Sequence, residues 1–420
     1  MYALVDCNNF YVSCERVFDP KLRNRPVAIL SSNDGCVIAR SNEVKALGIA
    51  MGEPAFRCTE LFKKHNVAVL SSNFALYADL SSRVMRVLES FDVDVQIYSI
   101  DEAFLHFTQR QVEHNNLMNY ATTLRQTVLQ HTGIPISIGI AATKTLTKVA
   151  NKQAKKMAGG IVGIFDEPTR IVLLKHTPVN DVWGVGGAYT ALLKRYGILT
   201  ALALTQRDDV WIKKHMTIGG LRMVWELRGI SCITDVYDEP TPKSIIRSRS
   251  FGRPVLAVTE LKEAIAVHAA RAAEKLRQDG LCATMMQVYM SSNRFSDAPY
   301  YSNSVSVQLQ PTCYTPTLIA AATLAVEQMY RPGYRYKKCG VMVSGLVPES
   351  EKQAHLFVPS DTNQTHAMLM QTVDKINARY GSNTVFFAAM GTQRPWGMKR
   401  NKISQAFTTK WEELAIARIG

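Results

Sequence analysis

No apolar run in this 420-residue sequence approaches the roughly 18–20 residues that a bilayer-spanning helix needs, so no membrane segment is expected. The first twelve residues put Asp6, Cys7, Asn8 and Asn9 where a signal peptide would need an apolar stretch, which makes a cytoplasmic location the expectation. The eight cysteines, at positions 7, 14, 36, 58, 232, 282, 313 and 339, show no C-x-x-C spacing, and a chain this long needs no disulfide staples. They read as reduced thiols. Also missing are internal repeats, low-complexity tracts and any GxxxxGKS/T phosphate loop.

With 47% hydrophobic and 20% charged residues, the chain is neither disordered nor collagen-like. At about 100–150 residues per domain it should hold three or four packed units. Its net charge of +14 is unevenly spread: residues 1–242 carry 27 basic and 23 acidic side chains, residues 243–420 carry 22 and 12. A basic second half suits a polyanion partner.

Residues 2–8 alternate as a short strand with Tyr2, Leu4 and Asp6 on one face. Residues 95–107 read as two strands meeting at Ser99 to Glu102, followed by a helix striped by Leu117, Tyr120, Leu124 and Val128 and stopped at Gly133, then by the strand-like run IPISIGIA. This order is a split βαβ plan: a mixed or antiparallel sheet with helices on one face. Asp6, Asp101 and Glu102 would then meet at one sheet edge. Between the first strand and a helix near residues 75–90 lies an insertion of some fifty residues rich in Asn, Ser, Gly and Pro, a small lobe. Residues 166–235 read as helices broken by glycines, and DEPTPKS, residues 238–244, as a linker. Strand-like runs then alternate with two helical stretches, a further α+β domain, and beyond about residue 350 the pattern weakens into a basic tail.

Three carboxylates in one place repel unless cations neutralise them, and hard divalent ions accept such oxygen donors. Two such ions with open positions for phosphate oxygens suit in-line displacement at phosphorus, so phosphoryl or nucleotidyl transfer is the expected reaction. Lys144, Lys148, Lys152, Lys155 and Lys156 follow the run IPISIGIA, and the first three recur every four residues and share a helix face beside the acids. Such a row suits the outer phosphates of a triphosphate or, more plainly, a solvated face. Gly184-Val185-Gly186 reads as a hairpin between two helices, whose following helix start can take a DNA phosphate or simply pack as a turn. Arg247 and Arg249, at alternate strand positions with Lys243 and Arg253 nearby, offer a basic stripe to a nucleic-acid backbone. Gln353 with Leu356 and Phe357 reads as local packing or as a docking peptide for a partner groove.

Taken together, YALVDCNNFYVSCE, SSNDGCVIARSNEVKALGIAMGEP, YSIDEAF, GIAATKTLTKVANK, DVWGVG and SRSFG resemble the Y-family translesion DNA polymerases, most closely the UmuC-type catalytic subunits of polymerase V. The likeness runs in register from residue 1 to about 350 and continues more weakly to the C-terminus. It implies an α+β multidomain right hand: a ferredoxin-like palm (1–20 and 75–165), small fingers (21–74), a helix-hairpin-helix thumb (166–237), the linker, and an α+β little-finger domain (245–350). Residues 351–420 would hold a clamp peptide and a basic partner-binding tail.

By the same resemblance, Asp6, Asp101 and Glu102 are the metal-binding carboxylates, joined by the backbone carbonyl of Cys7, for two Mg²⁺ ions that Mn²⁺ can replace. Tyr11 falls on the steric gate that excludes a 2′-hydroxyl, Lys148 on the palm lysine that reaches the triphosphate, and Ile38 over the nascent base pair. Asn42 stands where many relatives carry a triphosphate-contacting tyrosine, and Lys45 where many carry arginine. Gly184, Gly186, Arg247 and Arg249 would meet DNA, and Gln353, Leu356 and Phe357 match the family's sliding-clamp peptide. The implied activity is template-directed, error-prone translesion synthesis in the SOS response to DNA damage. Its partners would be primer-template DNA, deoxynucleoside triphosphates, a cleaved UmuD-like dimer, RecA and the clamp. A nucleotide cyclase of the GGDEF type, which also sets an acidic pair on a hairpin, lacks support because no glycine pair precedes Asp101. A non-catalytic DNA-binding scaffold is the other alternative.

Overall fold

The computed structural model describes residues 1–114, 116–233, 241–351 and 360–414. Two units emerge: Met1–Ser31, Gly35–Asp238 and Asn401–Gly420 form the first, Ser32–Asp34 and Glu239–Arg400 the second.

In the first unit the apolar run Tyr2–Cys7 forms β1, every residue buried, and α1 (Phe10–Phe18) follows. The insertion supplies β2 (Val27–Leu30), β3 (Val37–Arg40), α2 (Asn42–Ala46), α3 (Thr59–Lys64) and β4 (Ala68–Ser71). Its three strands pair in the order β3-β2-β4 around their own small core of Ala28, Leu30, Val37, Val44, Ile49, Cys58, Phe62 and Val67. The expected small lobe is therefore a folded sheet of its own. Asn73 caps the next helix, α4 (Phe74–Glu89), by accepting from the Leu76 N–H, and Leu76, Leu80, Val84 and Leu88 make its buried stripe.

The chain continues through β5 (Asp94–Ile97), β6 (Glu102–His106), α5 (Gln109–His114), α6 (Leu117–Thr132), β7 (Ile136–Ala141), α7 (Lys144–Ala154) and β8 (Ile161–Gly163). The five strands form one sheet ordered β5-β6-β1-β7-β8, antiparallel except for the parallel β7–β8 pair. One face, with Ala3, Val5, Ala103, Leu105, Ile136, Ile138 and Ile140, packs on α4 and α6. The expectation of helices on one face alone needs correction. Helix α7 covers the opposite face, and Gly139 is the reason: a Cβ there would sit 2.3 Å from the Thr147 carbonyl oxygen and the Asn151 nitrogen, so only glycine lets this helix lie on the strand.

Beyond the sheet come α8 (Glu167–Lys175), α9 (Gly187–Arg195), α10 (Ala201–Thr205) and α11 (Asp209–Leu227), packed around Leu174, Leu193, Leu204, Ile212 and Val224. The helix expected just before Gly184 is only a single 3-10 turn, Val179–Asp181. Glu226, fully buried on α11, accepts from the N–H groups of Thr145, Cys232 and Ile233 at 3.0, 2.9 and 3.1 Å, and Thr143 donates its hydroxyl to the Glu226 carbonyl at 2.7 Å. These bonds fasten the helical part to the start of α7.

The second unit holds β9 (Ser244–Val255), α12 (Val258–Gln278), β10 (Leu281–Ser292), β11 (Ser302–Thr312), α13 (Thr315–Met329), β12 (Tyr336–Pro348) and α14 (Ser360–Tyr380). Its antiparallel sheet runs β11-β10-β12-β9, backed by α12 and α13, whose alanines at 264, 269, 272, 322 and 325 allow close packing. The stretch read as a basic tail thus contains a 21-residue helix, α14. Residues 238–240 of the linker and the peptide with Gln353, Leu356 and Phe357 lie outside the described residues.

Candidate active site

Register brings the acids together. Asp6 and Glu102 are direct partners across β1 and β6, so their side chains leave the same face of the sheet. Asp101 lies in the preceding turn, where its carbonyl accepts from the Cys7 N–H at 2.8 Å. The Ser99 hydroxyl shapes that turn: it donates to the Asp101 carboxylate at 2.7 Å and accepts from the N–H groups of Asp101 and Glu102 at 3.2 and 3.1 Å. The strands thus put Asp6 and Glu102 on one face at this edge, with Asp101 in the adjoining turn.

Helix α7 delivers cations to that face. Lys155 Nζ lies 2.6 Å from Asp6 Oδ2, and Lys148 Nζ lies 3.0 and 3.1 Å from the two Glu102 oxygens. Lys148 is also seated against aromatic faces, 4.5 Å from the Tyr98 ring centroid and 5.3 Å from that of Trp183. Burial pushes the Asp6 pKa up to about 6; Lys155 opposes the shift, and the charges of Glu102 and Asp101 add to it. The row of Lys144, Lys148 and Lys152 does not act as one: Lys144 is buried and donates to Gln96 at 2.6 Å, and Lys152 pairs with Asp181 at 2.6 Å.

The fingers-like insertion contributes a second group. Asn9, with φ 48° and ψ 44° at the start of α1, turns the chain sharply after β1 in a conformation that asparagine tolerates. Its side chain donates to Asn42 at 3.1 Å and accepts from Lys45 Nζ at 2.5 Å. Burial lowers the Lys45 pKa, and the neighbouring charges of Arg40 and Lys155 lower it further. Arg40, Lys45 and Lys155 therefore crowd positive charge beside Asp6, an arrangement suited to a multiply charged anion. Tyr11, half-buried on α1, stacks on Tyr77 with ring centroids 4.5 Å apart and planes 15° apart. Ile38, half-buried on β3, packs against the core of the five-stranded sheet.

Other singled-out residues lie elsewhere. Gly184 has φ +90°, which only glycine adopts freely, and Gly186 precedes α9, whose first turn has no side-chain cap. A side chain at Gly186 would meet nothing within 4 Å, so the approach to the start of α9 is open. Arg247 and Arg249 pair with the buried Val341 and Cys339, on the helix-packed side of edge strand β9, and Arg249 is exposed at that edge. The sheet's opposite face is nearly uncharged around Ser248, Gln287, Tyr289 and Met342, with Lys338 as its cation.

Sequence reasoning missed Asn9, Tyr98 and Trp183, and counted Lys155 only within a lysine run. Lys155 falls outside the four-residue spacing of the others, and the aromatic seat of Lys148 is assembled from distant segments. Among the described residues, Cys282, Cys313 and Glu349 of the second unit form the one trio with all metal-ligating atoms within 4.8 Å of one another. The carboxylates of Asp6, Asp101 and Glu102 stand further apart, with ammonium groups on two of them. Their hard oxygen donors fit divalent cations, and two of the carboxylates already hold cations, Lys148 and Lys155, as counter-ions.

Comparison with known proteins finds relatives along the whole chain. The impB/mucB/samB family matches residues 5–152, its C-terminal domain matches 242–356, and a domain of unknown function matches 367–417. The chain is 41% identical to Protein UmuC of Salmonella typhimurium (strain LT2) over 419 residues, 99% of each chain. It is likewise 41% identical to Protein ImpB of Salmonella typhimurium over 427 residues and the full length of both. Among solved structures, a Y-family DNA polymerase chimera superposes with a TM-score of 0.66 at 16% identity, covering 83% of this chain and 99% of its own.

Proposed function

The chain belongs to the impB/mucB/samB family, and from that premise we propose how its residues carry out synthesis. It is a Y-family DNA-directed DNA polymerase that performs error-prone translesion synthesis in the SOS response. The observation that carries the site assignment is the register pairing of Asp6 with Glu102 beside Asp101, at an edge crowded by lysines.

In this reading Asp6, Asp101 and Glu102, with the Cys7 carbonyl, hold two Mg²⁺ ions, for which Mn²⁺ can substitute. Bound there, the ions activate the primer 3′-hydroxyl and neutralise charge on the phosphates. This chain's residues do the rest. Lys148 and Lys155 would reach the triphosphate, and Arg40 and Lys45 would hold its outer phosphates while Asn9 and Asn42 orient Lys45. Tyr11 lies beneath the sugar and Ile38 over the new base pair. The small insertion presses lightly on that pair, so damaged templates are tolerated.

The palm then comprises residues 1–20 and 75–165, the fingers 21–74, the thumb 166–237, and the little finger 245–350 after the linker. Gly184 and Gly186 meet DNA phosphates through α9, and Arg249 with Arg247 does so from the edge of β9. Gln353, Leu356 and Phe357 dock on the sliding clamp, and a cleaved UmuD-like dimer and RecA complete the cytoplasmic complex. The basic segment after about residue 360 is where the dimer would bind, on the part not already packed against the chain itself.

Primer extension by the full chain with these partners tests the site. Asp101→Asn should reduce extension at least roughly 10³-fold in Mg²⁺ without loss of folding. Extension that survived the change would assign the activity to a contaminant and the acids to a solvated turn.

A further inference from the structure

Residues 401–414 return to the first unit, where they meet α1 and the start of α4. The Ser71 N–H donates to the Lys402 carbonyl at 2.9 Å, and the Lys402 N–H to the Ser71 hydroxyl at 3.0 Å. Asn73, the cap of α4, donates to the Ser404 hydroxyl at 3.0 Å and to the Gln405 carbonyl at 3.2 Å. Phe407 stacks on Phe18 at the end of α1, ring centroids 4.9 Å apart and planes 6° apart. The segment is thus a strap across the end of α1 and the start of α4.

One of its polar contacts reaches the middle of α1. Glu15, 1% exposed on α1, receives two hydroxyls on the same oxygen, Tyr77 at 2.6 Å and Ser404 at 3.1 Å. Burial raises the Glu15 pKa, and both hydroxyl donors oppose that rise. Tyr77 is fully buried, and its ring is the surface on which Tyr11 lies. Phe74 braces both rings edge-on, at 6.0 Å from Tyr11 and 6.2 Å from Tyr77. Glu15 and Tyr11 are four residues apart on one helix, so Tyr77 is bonded to α1 at its hydroxyl and stacked on it at its ring.

We propose that Ser404 is a positioning residue for sugar selection, fixing the Tyr11 ring through Glu15 and Tyr77. This rests on the reading of Tyr11 as the ring beneath the incoming sugar. Without the Ser404 hydroxyl, the buried carboxylate keeps a single hydroxyl donor, and the Tyr77 hydroxyl follows it to a new balance of hydrogen bonds. The ring backing Tyr11 then shifts, and the space it denies to a 2′-hydroxyl opens.

The test is single-nucleotide extension by the full chain with a deoxynucleotide and its matching ribonucleotide, comparing Ser404→Ala, Ser404→Thr, Tyr77→Phe and Tyr11→Ala. Tyr11→Ala should collapse the preference for deoxynucleotides. Ser404→Ala and Tyr77→Phe should each lower the ratio of kcat/KM values roughly three- to tenfold, mainly through a lower KM for the ribonucleotide. Ser404→Thr, which keeps the hydroxyl, should restore it. If Tyr11→Ala collapses the preference while Ser404→Ala and Tyr77→Phe slow both sugars equally, the strap merely supports the fold and the relay is wrong. If Tyr11→Ala leaves the preference intact, the gate reading itself fails and the relay falls with it. Tyr77→Phe keeps the ring and its packing, so it decides the matter even if Ser404→Ala misfolds.

Discussion

Lys155 Nζ lies 2.6 Å from Asp6 Oδ2, so an ammonium group occupies the carboxylate that a divalent ion would use. Lys155 is 42% exposed and free to swing out, whereas Asp6 at 10% is fixed by its strand. An ion arriving at Asp6 therefore has to displace a partner.

Lys155→Met removes that competitor. The half-saturating Mg²⁺ concentration for extension should fall roughly two- to tenfold, while KM for the nucleotide rises because one triphosphate contact is gone. A Mg²⁺ titration superimposable on that of the unaltered chain would mean that the ammonium leaves Asp6 at no cost.

Glu226 is an anchor rather than a catalytic group. Glu226→Ala leaves three backbone N–H groups without their acceptor, and urea denaturation should show a loss of about 3–5 kcal/mol. Glu226→Gln, which keeps one acceptor oxygen, should lose clearly less.

His268 on α12 is 8% exposed, its Nε2 has no hydrogen-bond partner, and burial, reinforced by the charge of Arg249, lowers its pKa to about 4. Between pH 6.5 and 4 the unfolded chain binds the proton and the folded one does not, so stability is fully present above 6.5 and declines as pH falls. The contribution is up to about 3 kcal/mol. His268→Phe should flatten this part of a Tm-against-pH curve, and an unchanged slope would place the acid sensitivity elsewhere.

Deletion of Gln353 through Phe357 should abolish stimulation of synthesis by the sliding clamp and spare distributive extension on short primers. Equal loss of both would point to damaged folding.

Strand alternation and helix stripes were enough to place the strands on either side of Asp101 and Glu102 and the helix striped by Leu117, Leu124 and Val128, because burial of one face dictates such periodicity. Convergence of Asp6 on Glu102 was legible for the same reason. The face chosen by α7 was not: Gly139 inside IPISIGIA looks like one small residue among apolar ones, and its role appears only where a helix backbone touches it. The face of Arg247 and Arg249 was latent in the sequence, since both share parity with the buried Ile245 and Phe251. Helix α14 escaped notice because its long side chains at Met368 and Leu369 remain exposed and give no stripe. Ser404 and Phe407 belong to a segment with no period at all, so only tertiary contacts reveal them.

The strap has a consequence for how the molecule is made. A ribosome delivers Tyr11, Glu15 and Tyr77 early, but Ser404 and Phe407 emerge only after the whole stretch from 239 to 400 has been translated. Tyr11 and Tyr77 therefore receive their last brace at the end of synthesis, and a prematurely terminated product would carry Asp6, Asp101 and Glu102 without that brace.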